Sequence, residues 1–227
     1  MPRIVPKHSI ATRWFHWVNF PVISAMVGSG LLIYWANDVY HLGIGAATVA
    51  LFPTWFYKLL GIERHLAVGM AWHFAFAWFF VLNGIAYVTY AAASGEWRQL
   101  VPRAAHFPAA WQVVLHDLGI RKEPLPPEKF NAAQRVTYSA IVLMGALSTA
   151  TGLAIYRPTQ LAWLTSLCGG YEAARFEHFW LMMGFVAFFG LHIAQVVRAG
   201  WNNFRAMVIG VERVEASAAG KRARGTS

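Results

Sequence analysis

Residues 174–201, "ARFEHFWLMMGFVAFFGLHIAQVVRAGW", read as a membrane span that carries two titratable rings, His178 and His192. Between them, from Phe179 to Leu191, no residue is charged. A run of this kind suits a hydrocarbon layer about 30 Å thick, which takes about twenty helical residues to cross. An imidazole placed in hydrocarbon is costly and marks a functional position. At about 1.5 Å per residue the two rings stand about 21 Å apart along the helix, and fourteen steps of about 100° leave them within about 40° of one face. The span thus offers two histidines to one interior at two depths.

The rest of the chain fits that solvent. Of 227 residues, 57% are hydrophobic and 13% charged, more apolar than a soluble domain of this size can bury in one core. Apolar runs at 14–36, 67–93, 136–156 and 178–198 predict four spanning helices. A shorter run, 42–57, is broken by Pro53 and reads as an interfacial or re-entrant segment. Charge separates the two topologies. With four spans, only Lys58, Arg64, Arg157 and Arg175 of the nineteen Lys and Arg fall on the side away from the N-terminus. A fifth crossing at 42–57 would leave seven on the N-terminal side and twelve opposite, against the bias that sets orientation. The expected fold is therefore an all-α, integral membrane four-helix bundle with both termini cytoplasmic and an additional interfacial segment.

This topology accounts for the net charge of +9, and the basic residues show no interleaved aromatic platform of the kind a nucleic-acid partner would need. The first twenty residues have a basic start and an apolar continuation, but no small-residue cleavage site follows, so they read as a retained helix. The connection 94–135 contains the proline-rich "RKEPLPPEKFN" and is expected to be a loop with a short surface helix at 109–118. Residues 211–227 read as a basic, mobile cytoplasmic tail after a membrane domain at 1–210. The one cysteine, Cys168, excludes an intrachain disulfide, a thiolate-ligated iron–sulfur cluster and a C-x-x-C-H haem attachment, so a bound cofactor needs nitrogen or oxygen ligands.

All ten carboxylates lie in loops or at span ends, whereas His16, His73, His178 and His192 fall in or just inside the spans. Proton-coupled transporters usually mix carboxylates with histidines; histidines alone favour neutral imidazoles bonded to a metal. The fourth span runs inward, which puts His178 near the outer side and His192 near the inner side. The first span brings His16 to the level of His192, and the second brings His73 nearer the level of His178. Two facing pairs follow, His16 with His192 and His73 with His178. Facing imidazoles in a four-helix bundle can hold a planar macrocycle with iron between them. Two ligands at each depth do not suit zinc, which takes four protein ligands or three and a water. A single buried histidine is often just a polar group bonded between helices; four that match pairwise in depth weigh against that explanation. Gly28, Gly30, Gly69, Gly84, Gly184 and Gly190 near these levels would admit a porphyrin, or serve as ordinary helix-contact glycines.

Almost the whole chain resembles the bacterial di-haem cytochrome b561-like family, the b-type cytochrome membrane subunits of hydrogenases, formate dehydrogenases and thiosulfate-reductase-like complexes. The likeness runs through "HSIATRWFHWVN", "SGLLIYWAND", "HFAFAWFFVLNGIAYVTYAAASGEWRQLVP", "FNAAQRVTY" and "EHFWLMMGFVAFFGLHIAQVVRAGWNNFRAMVIG", and the fourteen-residue histidine spacing is its most specific element. The resemblance implies two haem b groups held by His16, His73, His178 and His192. It also implies a bacterial inner-membrane protein passing electrons between a periplasmic oxidoreductase subunit, plausibly a molybdenum enzyme, and the quinone pool. A stand-alone quinol or superoxide oxidoreductase, and a small-molecule or metal transporter, are the other classes that share parts of this pattern; association of copies stays open.

His65, beside Glu63 and Arg64 and about 80° around the helix from His73, is the alternative ligand in the second span and reads as a surface histidine. Asn19, Asn131, Gln134 and Arg135 lie where a quinone carbonyl or a propionate could be met, with capping and loop solvation as equal explanations. Arg13, Arg64 and Arg175 are candidate propionate partners or anchors at the head groups.

Overall fold

The computed structural model describes residues 3–37, 40–44, 47–121 and 131–214. In chain order these form β1 (Arg3–Pro6), α1 (Ile10–Tyr34), β2 (His41–Ile44), β3 (Ala47–Ala50), α2 (Thr54–Leu60), α3 (Leu66–Ser94), α4 (Trp97–Leu100), α5 (His106–Asp117), α6 (Ala132–Tyr156), α7 (Ala162–Leu167), α8 (Tyr171–Ile209) and β4 (Val211–Val214). The helices α1, α3, α6 and α8 are long and apolar enough to cross a membrane, in the places expected from the apolar runs. Their outer surfaces carry large apolar side chains, among them Trp78, Leu143, Leu191 and Val197, each more than half exposed. Only hydrocarbon or another apolar surface can cover such faces, and helices satisfy their own backbone there.

The chain divides into two compact units. The first holds residues 14–85. In it α1 and α3 run antiparallel: Asn83 Nδ2 donates to Asn19 Oδ1 (2.8 Å), and Ser29 meets His73 ten residues further along each helix. Gly69 makes the contact close, because a Cβ there would stand 2.6 Å from Leu32 Cβ and 3.1 Å from the Ser29 carbonyl oxygen. The short segment between these helices is a β2–β3 hairpin, with His41 paired to Ala50, followed by α2, which starts directly after Pro53. Its most buried residue is Tyr57, 2% exposed, from which ring contacts run in series through Phe56, Phe52 and Tyr34 to Tyr40. Burial, and then the neighbouring Tyr34, push the Tyr57 phenol well above its usual range.

The second unit comprises residues 1–13 and 86–227. Here α6 and α8 run antiparallel, with Thr151 against His178 at one level and Met144 against Gly184 at another. Small side chains close their outer ends: Ala154 and Ala174 are fully buried with Leu164 of α7. At the other ends, α4 and α5 lie on α6. Ser139 Oγ donates to the Leu100 carbonyl (3.1 Å), and Gln195 Nε2 of α8 donates to Asp117 Oδ2 of α5 (3.0 Å). The helix expected at 109–118 begins three residues earlier, where the Arg103 N–H donates to His106 Nδ1 (2.7 Å) and settles the first turn. Residues 122–130, most of the expected proline-rich loop, lie outside the described residues.

Two glycines shape the C-terminal end. Gly200 has φ 80° and ψ 172°, values that cost a side chain strain, and it splits α8 into a spanning part and a short helix ending at Ile209. Gly210, at φ 86°, then turns the chain into β4, which pairs antiparallel with β1 from Arg3↔Val214 to Pro6↔Val211. Lys7 Nζ donates to Asn203 Oδ1 (2.8 Å) and Glu212 Oε2 (2.5 Å), and an Arg13 guanidinium N–H donates to the Val208 carbonyl (2.7 Å). The first four residues of the stretch read as a tail, Val211–Val214, are thus a strand; residues 215–227 lie outside the described residues. This pairing also tests the topology. Strands from the two ends of the chain can meet only on one side of a membrane, so the number of crossings is even and the segment at 42–57 does not cross.

Candidate haem-ligand histidines

The four histidines are all half-buried, whereas His65 is exposed with its Nδ1 bonded to the Glu63 carbonyl (2.7 Å). His65 is thereby accounted for at the surface. His16 and His73 belong to the first unit, His178 and His192 to the second. Each pair read from the sequence draws one histidine from each unit.

Within the first unit, the antiparallel register places His73 of α3 level with Ser29 of α1. From His16 to Ser29 is thirteen residues, so the two histidines of this unit differ in depth by about 20 Å. Within the second unit, His178 and His192 lie on the spanning part of α8, separated by about 21 Å. Two units with different loops therefore repeat one vertical spacing.

Within each unit the two rings have different surroundings. Ser29 Oγ lies 3.0 Å from His73 Nδ1, and Thr151 Oγ1 lies 3.0 Å from His178 Nδ1. Ser29 is 4% exposed and Thr151 2%, which makes them two of the few buried polar side chains. Beside each hydroxyl is a glycine that faces the same ring: a Cβ on Gly30 would lie 3.6 Å from His73 Cε1, and one on Gly152 would lie 3.2 Å from His178 Cε1. The second histidine of each unit has aromatic neighbours instead: His16 meets Trp17 edge-on at 5.0 Å and His192 stacks on Phe188 at 5.7 Å and 20°. Gly69 and Gly184 are contact glycines, against α1 and Met144 respectively. A Cβ on Gly28, Gly84 or Gly190 would meet no described atom within 4 Å.

Among the described residues, no three His, Cys, Asp or Glu side chains gather at one point as a metal site. Single imidazoles are donors of the kind that an iron already held in a macrocycle takes from a protein. Burial, and then the Glu177 carboxylate, push the Cys168 thiol above its usual range.

Several polar residues considered for quinone or propionate contacts have structural partners. Asn131 Oδ1 accepts from the Gln134 N–H (2.9 Å) while Gln134 Oε1 accepts from the Asn131 N–H (3.1 Å), a reciprocal cap on α6. Asn19 is bonded to Asn83, Arg13 to the Val208 carbonyl, and Arg175 to both carboxylate oxygens of Glu172 (3.2 and 3.0 Å). Ser29 and Thr151 were missed in the sequence reading. Their signal was present as a repeated hexapeptide, "SGLLIY" at 29–34 and "TGLAIY" at 151–156.

Four apolar spans with histidines at two depths define an integral membrane protein of the b-type cytochrome class, and the comparisons with known proteins agree. Residues 7–210 match the family model described as prokaryotic cytochrome b561, and the chain belongs to that family. It is also 30% identical over 185 residues to a protein of Azospira oryzae named as the candidate protein-methionine-sulfoxide reductase subunit YedZ1, covering 81% of this chain and 86% of that one. No solved structure matches it. The chain is thus a haem-binding electron-transfer subunit of the bacterial inner membrane.

Proposed function

We propose that the chain binds two haem b groups, one between His73 and His178 near the periplasmic side and one between His16 and His192 near the cytoplasmic side. In this reading it carries electrons between a periplasmic oxidoreductase subunit, of the molybdenum-enzyme kind, and the quinone pool. The observation that carries the reading is the equal vertical spacing of the two histidines in each unit, about 20 Å and about 21 Å. Haem b, held by these histidines, would supply one-electron transfer.

The chain's own residues do the rest. The histidines hold the ligating nitrogens at fixed depth, and the exposed apolar faces of the spans keep them in hydrocarbon. The carboxylates stay at the loops and helix ends, so protons for quinone reduction enter from the aqueous edge rather than along a side-chain relay. The relative from Azospira oryzae, named for a protein-methionine-sulfoxide reductase, supports an oxidoreductase as the partner. Kinship with subunits of multi-component enzymes favours this over a stand-alone quinol oxidoreductase.

The test is electron movement in vesicles. The purified chain is placed in liposomes with a membrane-soluble quinone, and a membrane-impermeant reductant is added outside. Quinol is expected to form in step with reduction of the b-type bands. Quinol formation no faster than in protein-free vesicles would overturn the reading.

A further inference from the structure

Ser29-Gly30-Leu31-Leu32-Ile33-Tyr34 closes α1, and Thr151-Gly152-Leu153-Ala154-Ile155-Tyr156 closes α6. Both hexapeptides have the form hydroxyl-Gly-Leu-x-Ile-Tyr, and both end the helix at the tyrosine. In each unit the spanning helix that follows carries a His-Phe pair, His73-Phe74 on α3 and His178-Phe179 on α8. The hydroxyl then meets Nδ1 of that histidine at 3.0 Å in both units, and the adjacent glycine lies against Cε1. A hydroxyl in a helix ordinarily bonds back to its own carbonyls and does nothing more. Two such hydroxyls, in matching sequences, on the same ring atom of matching histidines, require a further explanation.

The hydrogen bonding says what the contact does. Ser29 Oγ lies 2.6 Å from the Ala25 carbonyl oxygen and 3.1 Å from that of Met26. Thr151 Oγ1 lies 2.8 Å from the Leu147 carbonyl oxygen and 3.3 Å from that of Ser148. A hydroxyl has one hydrogen, and a carbonyl oxygen can only accept. The hydrogen is therefore committed to the helix carbonyls, and toward the ring each hydroxyl oxygen can only accept. Nδ1 of His73 and of His178 must carry the proton. A neutral imidazole protonated at Nδ1 has its lone pair on Nε2, the nitrogen at the far end of the ring.

We propose that Ser29-Gly30 and Thr151-Gly152 are two copies of one positioning element, which fixes the Nδ1–H form of His73 and His178 and turns Nε2 of each toward iron. The glycine gives the ring room to lie against the helix, and the hydroxyl sets its rotation. An acceptor on Nδ1–H makes the imidazole a stronger donor through Nε2, which stabilises the ferric over the ferrous state of the iron it ligates. The element rests on the ligand pairing proposed above only in that both copies then act on one haem.

The test uses the full-length chain purified with its haem, with the acceptor removed at nearly constant volume in Ser29→Ala and Thr151→Val, or kept in Ser29→Thr and Thr151→Ser. The readouts are redox titration of each b-type band and the electron paramagnetic resonance of the ferric low-spin haems, whose largest g value follows ligand-ring orientation. Ser29→Ala and Thr151→Val are each expected to raise the midpoint potential of the same haem and shift its g value. The double variant is expected to shift it further, while the other haem stays unchanged and the hydroxyl-keeping variants hold wild-type values. Wild-type potentials and g values in Ser29→Ala and Thr151→Val would overturn the proposal. Shifts that fall on two different haems would support the element and overturn the pairing of His73 with His178. Should Ser29→Ala load poorly, Ser29→Cys keeps the volume with a weaker acceptor and must move the potential in the same direction.

Discussion

His73 and His178 lean on hydroxyls of the preceding span, Ser29 and Thr151, while His16 and His192 lean on the aromatic rings of Trp17 and Phe188. The two kinds of support rest on different physics. A hydrogen bond to Nδ1 acts on the electrons of the ligating ring and on its rotation together. An aromatic neighbour constrains the plane of the ring through packing and quadrupole contact, worth about 0.5–1.5 kcal/mol beyond burial. In the proposed two-haem reading, one fold sets two redox centres apart with the same ligand type by changing what stands behind each ligand. Gradients of potential need not come from different metals or different axial residues.

Ligand removal gives the largest effect and tests whether the two levels are separate. His73→Ala with His178→Ala, both at the outer level, is expected to abolish one haem and leave the other, halving the reduced-minus-oxidised b-type absorbance. His73→Ala with His192→Ala, one at each level, is expected to abolish both. Equal losses in the two double variants would break the comparison.

Packing separates the units next. A side chain at Gly69 would strike Leu32 Cβ at 2.6 Å and the Ser29 and Ile33 backbone at 3.1 and 3.2 Å, and backbone cannot yield. Gly69→Ala is expected to cost about 1–3 kcal/mol, seen as a lower midpoint of thermal unfolding in detergent, and to disturb the outer haem through Ser29. In the other unit, a Cβ at Gly184 would meet only Met144, its terminal methyl at 2.6 Å and its sulfur at 3.6 Å. That flexible tip can swing, so Gly184→Ala is expected to cost less than about 1 kcal/mol in the same assay.

Polar contacts come third. Asn83→Leu breaks the Asn19 bond near His16 and is expected to cost about 0.6–1.7 kcal/mol by thermal unfolding, the range of interhelical hydrogen bonds in membranes. The smallest effect belongs to Tyr57→Phe. The Tyr57 hydroxyl is buried with no hydrogen-bond partner among the described residues, so removing it is expected to leave the unfolding midpoint unchanged or raise it slightly.

Much of this architecture was legible in the sequence because the bilayer imposes simple rules. Uncharged runs near twenty residues must be helices, and histidines inside them stand out against hydrocarbon; both inferences need only local sequence. The even number of crossings followed from Lys and Arg, and β1 pairing with β4 reaches the same result from geometry. That pairing itself could not be read, because four-residue strands separated by almost the whole chain have no periodic signal. The break in α8 rests on a single residue, Gly200, in a sequence otherwise continuous with the span. Ser29 and Thr151 were passed over for a different reason. A lone serine or threonine in a membrane helix usually back-bonds to its own backbone, and only the paired hexapeptides reveal a shared task. Asn131 and Gln134 looked as suited to a quinone as to a cap, and hydrogen-bond geometry at the start of α6 assigns them to the cap.

The most direct test of the central claim is haem counted per polypeptide in the purified wild-type chain, repeated with His192→Ala. Two b-type haems per chain, falling to one in the variant with the outer-level spectrum and potential intact, is the predicted result. One haem or none in the wild type, or two retained in His192→Ala, would contradict it.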